Sequence, residues 1–343
     1  MLIALGAACR REEQRPPGEP PKPVPAASIV TPSLSRADVD TFFKPLPKTY
    51  GTPTAPRVKL GQMLYFDERL SKNQDLSCNS CHDLARFGVD GAKLSSGHRG
   101  QLGTRNAPTV FNAGDHVAQF WDGRAKDLEE QAKGPILNPV EMAASETRVV
   151  TTLRSIPEYV ALFREAFDGA VTFQRAADAI GAFERTLVTP GRFDKYLRGD
   201  ETALTDPEKT GLAHFIKLGC VTCHNGAAVG GGSFQKLGLQ KPWPTDKDLG
   251  RFVVTKDPED KMKFRVASLR NIDKTGPYFH DGSETRLEEV VRKMGRHQLG
   301  LELRDDQISA LVAFLHALTG ELTVVVPPQL PKSTSSTPKP DPS

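Results

Sequence analysis

Residues Val58–Leu70 carry apolar side chains at helical spacing, with Leu60, Met63 and Leu64 on one stripe, and lead toward a cysteine pair at Cys78 and Cys81. The stretch 207–218 repeats this arrangement ahead of Cys220 and Cys223, with Asp206 reading as the N-cap and Pro207 as the first helical residue. Farther on, Ala182-Phe183-Glu184-Arg185-Thr186-Leu187 is echoed by Ala313-Phe314-Leu315-His316-Ala317-Leu318. The pattern predicts an imperfect duplication in which a helix opens and a helix closes each unit. Ser145–Phe167 predicts a further amphipathic helix in the first unit, bent before Pro157. Strands are expected to be few and short. Ile308–Val326 is apolar but interrupted by His316 and Glu321, so it predicts a core helix and not a membrane span.

The ends differ in character from this core. Residues 10–35 are rich in proline and charge and predict an extended tether, and Lys332–Ser343 reads as a disordered tail. The chain of 343 residues is long enough for two domains. The expected partition is a leader at 1–9, the tether at 10–35, one domain at 36–190, a second at 191–322 and a C-terminal segment at 323–343. Met1–Cys9 is short, apolar and ends in small residues, as the tail of a secretory signal does. Cys9 sits where a lipid-anchored cysteine would be. Gly6 and the lack of a basic n-region leave an ordinary cysteine in a cleaved leader as the alternative. The net charge of +3 is too weak to point to nucleic acid.

The chemistry lies in two pentapeptides, Cys78-Asn-Ser-Cys81-His82 and Cys220-Val-Thr-Cys223-His224. C-x-x-C-H is the attachment signature of a c-type haem: two thiols form thioethers with the porphyrin vinyl groups, and the histidine is the proximal iron ligand. A redox C-x-x-C needs a βαβ setting that neither site has, and a zinc ribbon would need a far shorter loop between the pairs. Four of the five cysteines are used. The expectation is a mainly α protein of two cytochrome c-type domains, each around one covalently bound haem c. Haem of this kind is attached outside the bacterial cytoplasm, which places the protein in the periplasm.

The second side of each iron decides function, because methionine there favours electron transfer whereas an open position permits peroxide chemistry. The second unit offers Met294, with His214, His280 and His297 as competitors, although a lone methionine on a helix is more commonly core. The first unit offers His98 on a loop flanked by Gly97 and Gly100, either a solvated histidine or a displaceable ligand. The stretch from Arg105 to Arg124, followed by Glu129, is dense in polar and aromatic residues. Splitting a peroxide needs a carboxylate to move a proton and a polar group to orient the substrate, roles open to Glu129 and Gln119. Glu129 and Glu130 read equally as solvated helix charges, and Trp121 as either core or a bridge between two haems.

At these residues the chain resembles the bacterial di-haem cytochrome c peroxidases. The resemblance runs from Val58 to Leu322 through both haem motifs, SGHRGQLGTRNAPTVFNA, QFWDGRAKDLEEQ, SLRN, TGPYFHDG and KMGRHQLG. It implies a low-potential peroxidatic haem on Cys78, Cys81 and His82, closed by His98 in the oxidised resting enzyme, with Gln119 and Glu129 beside the peroxide. It implies a high-potential haem on Cys220, Cys223 and His224 with Met294 as axial ligand, and Trp121 between the haems. It also implies a calcium ion held by the Asn106 side chain and the Thr275 and Pro277 carbonyls, a homodimer, and packing of residues 322–330 on the first unit. The implied reaction is reduction of hydrogen peroxide with electrons from a small cytochrome c or copper protein. Two other readings stand beside it: a related di-haem enzyme oxidising protein side chains, which has tyrosine where Met294 stands, and a non-enzymatic electron carrier.

Overall fold

The computed structural model describes residues 34–343, so Cys9 and nearly all of the tether lie outside the described residues. The first half holds the helices α1 (Arg36–Phe42), α2 (Ala55–Phe66), the short α3 (Cys78–Cys81), α4 (Leu128–Leu137), α5 (Glu146–Arg154), α6 (Pro157–Phe167) and α7 (Phe173–Glu184). The second half holds α8 (Arg192–Leu197), α9 (Asp206–Lys217), α10 (Phe252–Thr255), α11 (Leu287–Met294) and α12 (Asp305–Ala317). Strands β1 (Phe234–Lys236) and β2 (Lys263–Arg265) form the one sheet among the described residues, antiparallel with Phe234 opposite Arg265. No helix among them is long and apolar enough to cross a membrane.

The duplicated pattern folds into two duplicated crossings. Helix α2 packs on α7, and α9 packs on α12. At each crossing a glycine lets the backbones touch: a Cβ on Gly61 would overlap the Ala179 carbonyl, and one on Gly211 the Ala310 carbonyl. Around the first crossing Leu60, Leu64 and Tyr65 pack with Ile180, Phe183, Tyr159 and Phe163. Around the second, Phe215 and Phe314 join Phe193 and Phe43, with ring centroids 5.2–6.5 Å apart. Each such side chain stabilises the fold by ~1.5–3 kcal/mol relative to exposure.

Several boundaries differ from the sequence expectation. Helix α9 is capped by Thr205, one residue before Asp206, in a capping box with Glu208. Ser145–Phe167 is two helices, because Ile156 precedes Pro157 and adopts extended backbone. Val39 and Phe43 belong to the second core, so the segment expected to open the first domain packs on the second. Leu322, Val325 and Leu330 pack on the first core.

The expected disorder of Lys332–Ser343 is corrected. Composition misses it because the segment is held through backbone groups and hydroxyls, which hydropathy does not register. Arg69 donates to the Pro331 carbonyl at 2.8 Å, Gln74 to Pro338 at 2.7 Å and Arg148 to Lys339 at 2.6 Å. Ser155 and Thr337 share a 2.7 Å hydroxyl contact.

A buried ion pair stitches the second half together. Arg270 of the SLRN motif donates to both carboxylate oxygens of Asp194 at 2.9 and 3.0 Å, and both side chains are 1% exposed. Asp194 also accepts the Leu46 and Gly191 N–H groups. Asn271 bonds Thr189, which Asn112 also reaches. SLRN therefore serves the framework.

Candidate functional site

Each cysteine pair opens onto its own cavity. Cys78, Cys81 and His82 line one of about 520 Å³, and Cys220, Cys223 and His224 line another of about 240 Å³. None of the four cysteines is in a disulfide, which leaves all of them for thioether bonds. Burial pushes the Cys78 thiol up and raises that of Cys220 to about 12.

The two histidines are prepared alike. His82 Nδ1 lies 3.3 Å from the Gly88 carbonyl, and His224 Nδ1 lies 3.2 Å from that of Ala267. Each contact fixes the tautomer and leaves Nε2 for a metal. Burial keeps both rings neutral, with His224 lowered to about 4. A thiol pair, a neutral imidazole with one nitrogen free, and an apolar cavity fit a covalently attached haem at each place.

The cavities share a wall. Asn106, Pro108, Thr109, His116, Trp121 and Arg265 line both. Trp121 is fixed there by its indole N–H, which donates to the Asn106 carbonyl at 2.9 Å. Asp122 beside it accepts from Arg105 at 2.6 Å, and Arg105 also clamps Asp248 with two bonds of 2.6 and 2.8 Å.

In the second cavity the structure selects among the expected axial groups. Met294 and His280 line it, whereas His214 and His297 do not. His280 is stacked on Phe264 with centroids 4.2 Å apart, and His297 faces the Lys241 carbonyl at 3.2 Å. Met294 ends α11 and is followed directly by a π-helical turn, Gly295–Leu299, a distortion frequent at functional positions. Asn106, Thr275 and Pro277 are brought together in this wall. The Asn106 amide nitrogen donates to Ala92 at 3.0 Å, which leaves its amide oxygen for another partner. Among the described residues no group of three or more His, Cys, Asp or Glu side chains is placed to hold a metal. The amide and carbonyl set is of the other kind, hard oxygen donors suited to calcium.

In the first cavity two expectations change. Gln119 lines it, with its amide donating to the Ala113 carbonyl at 3.0 Å. Glu129 is not among the lining residues. It forms a two-bond ion pair with Arg185, at 2.5 and 3.0 Å. It points away because it stands on the face of α4 next to α7, where Arg185, the residue capping the end of α7, draws the carboxylate. The residues that do line the cavity are Gln131, two residues farther along α4 and so on a different face of it, and Glu141 in the turn after that helix. Burial raises the Glu141 carboxyl above the usual carboxylate range, against the pull of Arg124 and of the Asn138 amide, which donates at 2.8 Å. Sequence reasoning missed this pair. Gln119 and Glu129 stand ten positions apart, but so do Gln131 and Glu141, and spacing alone cannot choose. The signal was Pro139-Val140-Glu141-Met142, a lone carboxylate among apolar neighbours.

His98 is also displaced from its expected place. It is 5% exposed, so the histidine itself is not solvated although the loop residues after it are, and it does not line the first cavity. Its Nε2 lies 3.3 Å from the Ser343 carbonyl, and its backbone N–H donates to the Glu141 carbonyl at 2.7 Å. These two contacts hold the histidine where it lies. A second carboxyl, Glu184, does reach the cavity. Burial and the charge of Glu129 raise it to about 8, so it holds its proton at neutral pH.

Comparison with known proteins identifies the family. Residues 55–202 match the family described as di-haem cytochrome c peroxidase. The cytochrome c551 peroxidase of Nitrosomonas europaea is 49% identical over 291 residues, covering 84% of this chain and 87% of the relative. That of Pseudomonas aeruginosa is 48% identical over 331 residues, covering 91% and 95%. A solved structure of a MauG-like protein associated with microbial copper homeostasis superposes with a TM-score of 0.72 at 31% identity, covering 81% of this chain and 94% of that one. The chain belongs to the di-haem cytochrome c peroxidase family.

Proposed function

We propose that the protein reduces hydrogen peroxide to two waters, taking two electrons from a small redox protein and two protons from solvent. The observation that carries this reading is the placement of Glu141 and Gln131 in the same cavity as His82. When bound, the haem at His82 supplies the iron at which the oxygen–oxygen bond breaks. A carboxyl whose affinity for protons is raised by burial is suited to take the proton from one peroxide oxygen and give it to the other as that oxygen leaves. Gln131 offers an amide to orient the peroxide, with Gln119 farther along the same wall. His98, held against Ser343 and Glu141, leaves the cavity free for substrate.

In this reading each half of the chain is a cytochrome c-type domain around its own haem. Cys220, Cys223, His224 and Met294 would hold the haem that, when bound, receives electrons from the donor. Trp121, an indole that lines both cavities and is fixed by its bond to Asn106, would bridge the two cofactors across the shared wall. Asn106, Thr275 and Pro277 would hold a calcium ion through their oxygen atoms, in the wall that Trp121 also lines. The donor is a small cytochrome c or a copper protein. Covalent haem attachment supports a periplasmic location, with Cys9 as the tethering position, and the working unit is a homodimer. The test is peroxide turnover by the calcium-loaded, half-reduced protein with a reduced small cytochrome as donor. Rapid donor oxidation with a high-spin first haem is expected; a first haem that stays low-spin and ignores peroxide would leave an electron carrier in its place.

A further inference from the structure

Among the described residues, buried and partly buried guanidinium groups such as those of Arg270 and Arg105 are paired, and Arg265 is not. Arg270 holds Asp194, and Arg105 holds Asp248 and Asp122. Arg265 is 4% exposed and has no carboxylate at ion-pairing distance among the described residues. Its side chain donates only to two neutral carbonyls, Phe120 at 3.3 Å and Val266 at 3.4 Å. Burial without a counter-charge lowers it to about 10. Beside it stands His116, both of whose ring nitrogens are buried and lack a hydrogen-bond partner. Gly231 makes room for that ring, because a Cβ there would overlap it. Buried polar groups are almost always satisfied, and an isolated buried charge is costly. Two such groups side by side, both in the wall common to the two cavities, mean that the missing partner comes from what fills those cavities.

We infer that Arg265 and His116 form a seat for a carboxylate at the wall between the cavities, and that its occupant is a propionate side chain of the tetrapyrrole. A haem is an apolar ring bearing two carboxylates, which matches an apolar cavity with one buried cation in its wall. A guanidinium takes a carboxylate in the geometry of a two-bond fork, and the neutral imidazole donates one further bond. The seat is rigid. The Arg265 N–H donates to the Trp121 carbonyl at 2.8 Å, and β2 is paired with β1 at Arg265 itself. The seat therefore holds a haem edge in register with Trp121 and places a permanent positive charge beside that haem.

The inference rests on the two-haem reading and not on peroxide chemistry, so its test reads potentials. In full-length holoprotein, Arg265→Met is expected to keep both thioether-bound haems, counted as pyridine haemochrome, and to lower one of the two midpoint potentials in spectroelectrochemical titration. Loss of the positive charge favours the oxidised haem. Arg265→Lys restores most of that shift. Both potentials unchanged in a fully loaded Arg265→Met protein would overturn the seat. Should Arg265→Met fail to fold, resonance Raman of wild type against Arg265→Lys decides: the propionate bending bands shift if the seat exists, and coincide if it does not. Fewer than two haems in the wild-type protein would instead overturn the cofactor reading.

Discussion

The backbone N–H of His98 donates to the carbonyl of Glu141 at 2.7 Å, so the loop carrying the histidine and the turn carrying the cavity carboxyl are held as one unit. Gly97 makes the approach feasible. A side chain there would overlap the Val140 carbonyl and lie 2.8 Å from the Glu141 Cα. Position of the loop and position of the carboxyl are thus one structural variable.

Gly97→Ala is expected to push the loop off the turn and misplace Glu141. A displacement of about 1 Å at a proton-transferring group costs on the order of 100-fold in rate. Peroxide turnover at matched haem content measures it. Wild-type kinetics in the variant would show that loop and turn move independently.

Glu141 and Glu129 make a controlled comparison. Glu141→Gln removes the group that moves protons and is expected to cost about 10²–10⁴-fold in turnover with both haems retained. Glu129→Gln weakens a largely buried two-bond pair with Arg185 that lies outside the cavity lining, and should leave turnover at matched haem content within a few-fold of wild type. The pH profile carries a signature. Because burial raises Glu141, it stays protonated to higher pH than an ordinary carboxylate, so the acid limb of kcat/KM lies above the usual carboxylate range and vanishes in Glu141→Gln. Reversed effects at the two positions would restore Glu129 to the role.

What the sequence disclosed followed from how local each signal was. Both haem motifs are contiguous, so Cys78, Cys81, His82, Cys220, Cys223 and His224 were legible at once, as were the paired helices that open and close each half. Met294 could not be separated from His280 by spacing, since both turn out to line the cavity and only the π turn after Met294 marks it. Glu129 was misread because the orientation of a helix face depends on its neighbour, here Arg185 of the segment after α7, distant in sequence. The C-terminal tail was misread because hydroxyls and backbone groups, not apolar side chains, hold it. The unpaired state of Arg265 is a fact about absent neighbours, which no motif records.

Glu184 predicts a pH-dependent stability. Its folded-state pKa is raised from 4.5 to about 8, first by burial and then by the charge of Glu129. Between those values the folded chain keeps a proton that the unfolded chain releases. The contribution is therefore fully present below pH 4.5 and is lost as pH rises through about 8, at up to about 1.4 kcal/mol per pH unit. Thermal melts across this window should show wild type losing stability relative to Glu184→Gln. Parallel curves for the two proteins would mean that Glu184 finds a charge partner in the folded state.

The two helix crossings predict matched penalties. Gly61→Ala drives a methyl into the Ala179 carbonyl and the Phe183 Cβ, and Gly211→Ala drives one into the Ala310 carbonyl and the Phe314 Cβ. Overpacking of this kind costs about 1–3 kcal/mol, which for a chain of this size lowers Tm by a few degrees per substitution. The crossings belong to separate cores, so the penalties in the double variant should add to within about 0.5 kcal/mol. Additivity would show each half keeping its own helix pair as an independent packing unit. A double variant clearly less stable than the sum would show instead that strain at one crossing is relieved through the other, across the wall that holds Trp121.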